Sequence, residues 1–280
     1  MKEFNSFYKT VGGGEGQKCK YPTRLDTYGC GCQHDCSYCY AKSLLAFRKQ
    51  WNAKEPSVAD IKKIEKVIAT VEPGTILRLG GMTDCFQPLE KEVRNTYKTI
   101  QLLNKRRIGY LIVTKSALVA EDEYMEILDK DLAHIQITVT TLDDDFYQKR
   151  HYEKASLPSE RVAAILKLQE AGYDVQIRLS PLIEEWMNFD KLNSLGINKG
   201  IVEFLRINSW ISKWFKVDES KYSHYEGGYK HLPLEEKARI MERIKLPEIS
   251  VCEDVKRHYM YLNKKFNPNK DDCCNLRKEK

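Results

Sequence analysis

The sequence predicts an α/β fold, a partial (β/α)6 barrel of the TIM type with a C-terminal extension. Short apolar, β-branched runs alternate along the chain with longer segments whose apolar residues recur at a period near 3.6. Parallel strands need crossover connections, so this alternation indicates repeated βαβ units and a parallel sheet. Six such units are too few for a closed eight-stranded barrel but suit an open one, whose ligands gather at the carboxyl ends of the strands.

The predicted elements divide the chain into three parts. Strands are expected at residues 24–29, 75–79, 109–114, 134–140, 174–179 and 200–207. Amphipathic patterns predict helices at residues 58–71, 93–104, 121–128, 159–171 and 233–244. We therefore expect an N-terminal extension (1–23), the barrel (24–246) and a cysteine-containing C-terminal extension (247–280).

Composition places the protein among ordinary globular proteins. Of 280 residues, 42% are hydrophobic and 31% are charged, and no stretch approaches the length and apolarity of a membrane span. The first residues lack the apolar core of a signal peptide, so we expect a cytoplasmic protein with no membrane partner. The net charge of +6 permits a polyanionic partner without requiring one.

Nine cysteines are many for a cytoplasmic protein of this size. Four of them lie between Cys30 and Cys39, and three more lie in the last thirty residues. Disulfides are disfavoured in a reducing compartment, and an odd number argues against a framework of disulfides alone. Clustered cysteines in this setting indicate a metal site or catalysis.

The central motif is the C-x3-C-x2-C pattern formed by Cys32, Cys36 and Cys39. Three thiolates can hold one iron–sulfur cubane and leave one iron open to a small molecule, whereas electron-transfer ferredoxins supply four cysteine ligands. The alternative is a zinc knuckle that Cys30 completes, with His34 as a spare ligand. The preceding strand and the α/β pattern that follows favour the cluster.

The segment Gly31–Ala41 resembles the signature of the radical S-adenosylmethionine (SAM) superfamily, and is most similar to its spore photoproduct lyase and DNA repair photolyase-like branch. The resemblance spans roughly residues 26–185. It implies a [4Fe–4S] cluster on Cys32, Cys36 and Cys39, with SAM bound to the open iron. It also implies that SAM is cleaved reductively to a 5′-deoxyadenosyl radical, which takes a hydrogen atom from a substrate. The protein would then be a lyase or a base-modifying enzyme.

The resemblance also implies where SAM is held. Tyr38 is expected against the adenine, and Gly80 with Gly81 around the amino group, although a tight turn explains paired glycines equally well. Lys115 is expected at the SAM carboxylate, and Arg178 there or at a substrate phosphate. His34 and Asp35 are expected to tune the cluster loop through hydrogen bonds. The other expected cofactor-binding residues are Thr83, Asp84, Thr138, Thr140 and Ser180.

The remaining cysteines allow alternatives. The lyase carries a hydrogen-donating cysteine at the end of its second strand, where this chain has Gly81 and Met82. Cys85 is our candidate catalytic residue, which would deliver hydrogen from a shifted position; the alternative is an inert buried thiol. The late cysteines, together with Cys19 or Cys30, are candidates for a second Fe–S cluster or zinc site, or are unpaired thiols. They are Cys252, Cys273 and Cys274.

The substrate is expected to be a nucleic acid base that the enzyme repairs or modifies. Trp210 and Trp214 fall on one face of a predicted helix, where they can stack on bases or simply pack. The alternatives are a radical SAM enzyme that modifies a peptide or small metabolite with an auxiliary cluster, and a non-catalytic metal-binding module. An electron donor such as flavodoxin or ferredoxin is expected as a partner.

Overall fold

The computed structural model describes residues 4–12, 19–150 and 152–277. Its strands are β1 (Tyr8–Thr10), β2 (Thr23–Leu25), β3 (Tyr28–Gly29), β4 (Ser57–Val58), β5 (Ile76–Leu79), β6 (Gly109–Thr114), β7 (Ala133–Thr138), β8 (Asp174–Leu182), β9 (Lys199–Phe204), β10 (His224–Glu226), β11 (Tyr229–His231) and β12 (Glu248–Val251). Eight of them form one sheet in the order β1-β2-β5-β6-β7-β8-β9-β12. All neighbours in this sheet are parallel except β1 and β2. The pairs β3–β4 and β10–β11 form two separate antiparallel two-stranded sheets.

Helices connect the parallel strands. They are α1 (Tyr40–Phe47), α2 (Ile61–Ile68), α3 (Glu90–Val93), α4 (Asn95–Lys105), α5 (Asp122–Met125), α6 (Asp144–Arg150), α7 (Pro158–Glu170), α8 (Phe189–Ser194), α9 (Ser209–Trp214), α10 (Leu234–Met241) and α11 (Lys256–Phe266). Helix α2 begins at Asp60, whose carboxylate accepts the backbone N–H of Lys62 at 2.8 Å. Helix α7 packs on β7 and β8, and α11 packs on β12. Within the described residues, no helix has the length and apolar character needed to cross a membrane.

This architecture confirms the predicted fold class, a mixed α/β fold with an open parallel sheet. The predicted strand at 24–29 divides into β2 and β3, because the carboxylate of Asp26 turns toward the backbone N–H groups of Gly81 and Met82. The strand predicted at 134–140 ends at Thr138, so Thr140 lies beyond it. Strand β12 adds a seventh parallel strand within the segment assigned to the C-terminal extension; its four residues are too few to show a period.

The two faces of the sheet differ in polarity because side chains alternate along each strand. On β7 and β8, Ile135 and Ile177 are fully buried in the main hydrophobic core. Their neighbours Gln136, Thr138 and Arg178 face a cavity instead. The sequence alternation therefore gives the sheet an apolar face for packing and a polar concave face for a ligand.

A buried polar cluster joins β11, α10 and α11. Lys237 Nζ donates to Glu253 at 2.6 Å and to His258 Nδ1 at 3.2 Å, and the ring of His224 lies 4.7 Å from that of His258. Burial and the positive charge of Lys237 together lower the pKa of His258 to about 4. Burial also lowers the pKa of His231. Because an unfolded histidine has a pKa of about 6.5, the unfolded chain binds the extra proton between these values, and stability must fall as pH falls from about 6.5 to 4.

A His258→Gln variant is therefore expected to lose less stability over this pH range than the wild type. The difference should be on the order of 2 kcal/mol, and urea unfolding at a series of pH values measures it. Unfolding at pH 7.5, where the histidine is neutral in both states, sets the baseline for the substitution itself. Parallel stability curves for the two proteins would show that His258 does not carry this acid sensitivity.

Candidate active site at the carboxyl ends of the strands

One cavity opens on the polar face of the sheet, where the carboxyl ends of the strands meet the cysteine loop. All three motif cysteines, Cys32, Cys36 and Cys39, line it. The loop that carries them follows β3, next to the end of β2. The cysteine motif therefore lies at the carboxyl end of the first parallel strand.

The local backbone holds the three thiols. Cys39 is the N-cap of α1, and its Sγ accepts the backbone N–H of Lys42 at 3.4 Å. Backbone N–H groups of Asp84 and His34 favour the charged form of the Cys32 thiol and so lower its pKa, whereas burial raises the pKa of all three thiols. A helix N-terminus and backbone donors favour thiolates, which are the form that binds iron.

A site for a single metal ion needs several ligand side chains around one metal position. Across residues 4–12, 19–150 and 152–277, no three His, Cys, Asp or Glu side chains are arranged around one metal position. Cys30, the fourth ligand of the zinc alternative, does not line the cavity. The three motif thiols line one cavity, and three cysteine ligands suit a cluster that keeps one iron open to a ligand.

Glu153 is a central residue of the site that the sequence did not reveal. It is 5% exposed and accepts hydrogen bonds from the Cys36 thiol at 3.5 Å, from the Tyr38 hydroxyl, and from Arg161 at 2.6 Å. Lys115 Nζ lies 3.3 Å from the same carboxylate. Burial alone would raise the pKa of Glu153, but the charges of Lys115 and Arg161 hold it well below its usual range. No motif surrounds Glu153 in the sequence, so nothing there signals this role.

Glu153 fixes two of the predicted SAM-binding residues. Tyr38 is 8% exposed, lines the cavity and lies with its ring centroid 5.1 Å from Lys115 Nζ. Lys115 also donates to the carbonyl of Ser180 at 3.3 Å. The ammonium group and the ring that we expected at the cofactor are thus brought together on one wall.

Asp84 and Thr83 both line the cavity, yet their polar atoms bond to the protein. Asp84 lies 3.2 Å from His34 Nε2 and accepts from the Thr114 hydroxyl at 2.7 Å and from the Lys115 backbone N–H at 2.6 Å. Thr83 donates to the Tyr28 carbonyl at 2.7 Å. These bonds tie the ends of β5 and β6 to the cysteine loop.

The loop residues expected to tune the cluster also bond within the protein. The second nitrogen of His34, Nδ1, lies 3.2 Å from the carbonyl of Lys154. Asp35 accepts from Lys42 at 2.7 Å. These two residues therefore brace the loop against its surroundings.

The paired glycines line the cavity, and neighbouring protein atoms occupy the space beside their Cα atoms. Gly80 has φ +79°, and a Cβ there would lie 2.5 Å from the carbonyl oxygen of Val113. A Cβ on Gly81 would lie 2.7 Å from the side chain of Arg24. Close packing of β5 against its neighbours requires glycine at both positions.

The predicted polar residues of β7 and β8 separate into two groups. Thr138, Arg178 and Ser180 line the cavity, but the hydroxyl of Thr140 bonds to that of Tyr152 at 2.8 Å, away from the cavity. Both Arg178 and Ser180 donate to Glu203, at 2.6 and 2.8 Å.

One amide on the cavity wall has an unused donor. The side-chain oxygen of Gln136 accepts from Arg178 at 2.8 Å. Its Nε2 is buried without a partner among the described residues, although the side chain lines the cavity. A buried unpaired donor on a cavity wall indicates a place for a polar ligand atom.

The other cysteines lie at different depths. Cys85 is 1% exposed and lies behind Gly80, outside the cavity lining. Cys19, Cys252, Cys273 and Cys274 do line the cavity. The neighbouring thiol of Cys273 and the charge of Arg178 outweigh burial and hold the pKa of Cys252 below its usual range.

Comparison with known proteins gives a consistent result. The family model of the radical SAM superfamily matches residues 27–185, more than half of the chain. An uncharacterised protein of Methanocaldococcus jannaschii is 24% identical over 180 residues, and the alignment covers 62% of this chain and 65% of that protein.

Solved structures share the fold. A point mutant of spore photoproduct lyase matches with TM-score 0.64 and 17% identity over 89% of this chain and 80% of that one. The lyase complexed with dinucleoside spore photoproduct matches with TM-score 0.59 and 18% identity over 88% and 76%. Streptococcus suis SuiB bound to precursor peptide SuiA matches with TM-score 0.53 and 13% identity over 81% and 48%. At these identities the likeness concerns the fold, whereas the family model carries the assignment: this chain belongs to the radical SAM superfamily.

Proposed function

We propose that this protein is a radical SAM enzyme that repairs or modifies a base in a nucleic acid. Membership of the superfamily implies a [4Fe–4S] cluster and SAM, which together supply hydrogen-atom abstraction from an unreactive C–H bond. The observation that carries the choice of substrate is a pair of tryptophans beside the helix that begins at Cys39.

The residues of the cavity fit this pair of cofactors. Cys32, Cys36 and Cys39 would hold the cluster, because all three line the same cavity. Tyr38 and Lys115, both fixed by Glu153, would orient SAM. We also propose flavodoxin or ferredoxin as the electron donor.

The tryptophan pair supports a base as substrate. Trp210 is 37% exposed, and its ring centroid lies 5.2 Å from that of Trp214 on α9. Lys42 Nζ lies 5.2 Å from the centroid of Trp214, and Asn208 donates to Ser43 of α1 at 3.2 Å. Aromatic rings next to a cation are the combination that binds single-stranded nucleic acid. The fold likeness to the lyase complexed with a dinucleoside photoproduct is compatible with this choice.

A Trp210→Ala/Trp214→Ala double variant is expected to bind a single-stranded oligonucleotide roughly 5- to 100-fold more weakly, because stacking contributes about 1–3 kcal/mol per base. Fluorescence anisotropy with the anaerobically reconstituted protein measures the affinity at two salt concentrations. Wild-type affinity should fall as salt rises, since binding releases counterions from the phosphates.

Tyr261→Ala provides the matched control, because Tyr261 is a 46% exposed aromatic residue on α11. This variant should bind the oligonucleotide as the wild type does. Wild-type protein without salt-dependent binding, or a double variant with unchanged affinity, would rule out the nucleic acid substrate.

A second candidate function is the modification of a peptide or small metabolite with the help of an auxiliary metal centre. The observation that favours it is the presence of Cys252, Cys273 and Cys274 in the wall of the same cavity. We propose that these late cysteines bind metal under either function.

A further inference from the structure

We propose that Cys19, Cys252, Cys273 and Cys274 bind a second iron–sulfur cluster on the floor of the cavity. This proposal rests on the proposed function, because it assumes a radical SAM enzyme whose substrate binds in that cavity. It holds equally for a nucleic acid base and for a peptide or small metabolite as substrate.

Three distant parts of the chain bring these cysteines together. The Tyr21 hydroxyl donates to Asp272 at 2.7 Å, and the same carboxylate accepts the backbone N–H of Cys274 at 2.8 Å. The carbonyl of Cys274 accepts from Gln176 of β8 at 2.7 Å, and Ser250 of β12 donates to the carbonyl of Cys273. The segment before β2, the end of β12 and the C-terminal turn are thus held against one another.

The thiols face the same space. Cys273 and Cys274 lie in one buried cluster with Cys252 packed against it, and all four cysteines line the same cavity. Cys273 and Cys274 are 5% and 7% exposed. They pack with Leu111 of β6, below the strand-end residues that surround the motif cysteines.

The surroundings supply the hydrogen bonds and charge that a thiolate-bound cluster needs. The backbone N–H of Tyr21 donates to Cys19 Sγ at 3.4 Å, and Tyr259 packs against the cluster that contains Cys273. Arg178 lines the same cavity as Cys252 and supplies a positive charge there. The buried Nε2 of Gln136 has no partner among the described residues and belongs to the same cavity wall, where it can donate to a cluster sulfide.

Other occupants fit less well. All nine cysteines are free thiols in the structure, so no disulfide uses them. Cys30, the alternative fourth ligand, lies outside the cavity lining, which leaves Cys19 as the fourth thiol.

Two variants of the full chain test this site by metal content rather than by activity. After anaerobic reconstitution, the wild type should bind about eight irons and eight sulfides, which corresponds to two [4Fe–4S] clusters. A Cys32→Ala/Cys36→Ala/Cys39→Ala variant should keep about four irons, and its Mössbauer spectrum should not respond to SAM. A Cys252→Ser/Cys273→Ser variant should also keep about four irons, and its spectrum should respond to SAM.

Cys30→Ala serves as the control and should bind as much iron as the wild type, while Cys19→Ser should lose the second cluster. The assignment would be overturned by a triple variant that binds no iron, or by zinc in place of iron. It would also be overturned by a wild type that holds about four irons and has a disulfide between Cys252 and Cys273. Because the triple variant cannot cleave SAM, its iron content is independent of the proposed enzymatic function.

Discussion

A Cys36→Ala variant is expected to form no detectable 5′-deoxyadenosine from SAM, a loss of about a thousandfold or more. The three cysteines hold one cluster together, so removing one of them abolishes the activity of all three. Cys36 is 8% exposed, lines the cavity and is one of the three thiols that its loop places there. Two remaining thiolates hold a cubane poorly, and the iron that binds SAM is then lost. Reaction with dithionite under anaerobic conditions, followed by chromatography of the nucleoside product, measures the effect.

Cys30→Ala is the matched control, since Cys30 belongs to the same loop but not to the cavity wall. It should retain the cleavage of SAM at a rate within a few-fold of wild type. Circular dichroism must show the same fold for both variants, so that a lost cluster is distinguished from a lost structure. Formation of deoxyadenosine by Cys36→Ala at the rate of the control would refute the three-cysteine assignment.

The residues predicted from sequence are those whose relationships are local. Cys32, Cys36 and Cys39 are fixed by spacing within eight residues, and strand ends next to polar residues identify Lys115 and Arg178 as cavity residues. A parallel sheet brings such strand ends together whatever their separation in sequence. Local pattern and topology therefore sufficed for this part of the site.

The residues that sequence reasoning missed depend on contacts between distant segments. Glu153 is separated from Cys36 by 117 positions, and Tyr21 from Asp272 by 251. No periodicity or motif encodes such pairs, so neither could be predicted. The expectation for Thr140 rested on strand alternation, and the strand ends at Thr138, before that alternation applies.

Glu153→Gln is expected to lower the free energy of unfolding by about 3–5 kcal/mol, because it removes one partner of a buried ion pair. The side chain of Arg161 is completely buried 2.6 Å from the Glu153 carboxylate, and Lys115 lies 3.3 Å from it. A neutral amide leaves these positive charges uncompensated. The melting temperature should fall by roughly 5–9 °C in a calorimetric scan.

Glu160→Gln is the matched control for this substitution. Glu160 is exposed at the start of α7, and its carboxylate accepts the backbone N–H of Leu157 at 2.8 Å, a bond that glutamine can also accept. The control should change stability by less than about 0.5 kcal/mol. An equal effect of the two substitutions would show that the buried charge pair is not what stabilises this region.

The role of Glu153 in SAM cleavage can be separated from its role in stability by adding the substitution Arg161→Met. In the double variant Glu153→Gln/Arg161→Met the uncompensated guanidinium is gone, so stability should recover toward the wild type. Tyr38 and Lys115 would still lack the carboxylate that fixes them. SAM cleavage should therefore remain impaired in a protein that is again stable. Simultaneous recovery of stability and cleavage would mean that Glu153 supports the fold alone, and that Tyr38 and Lys115 reach SAM without it.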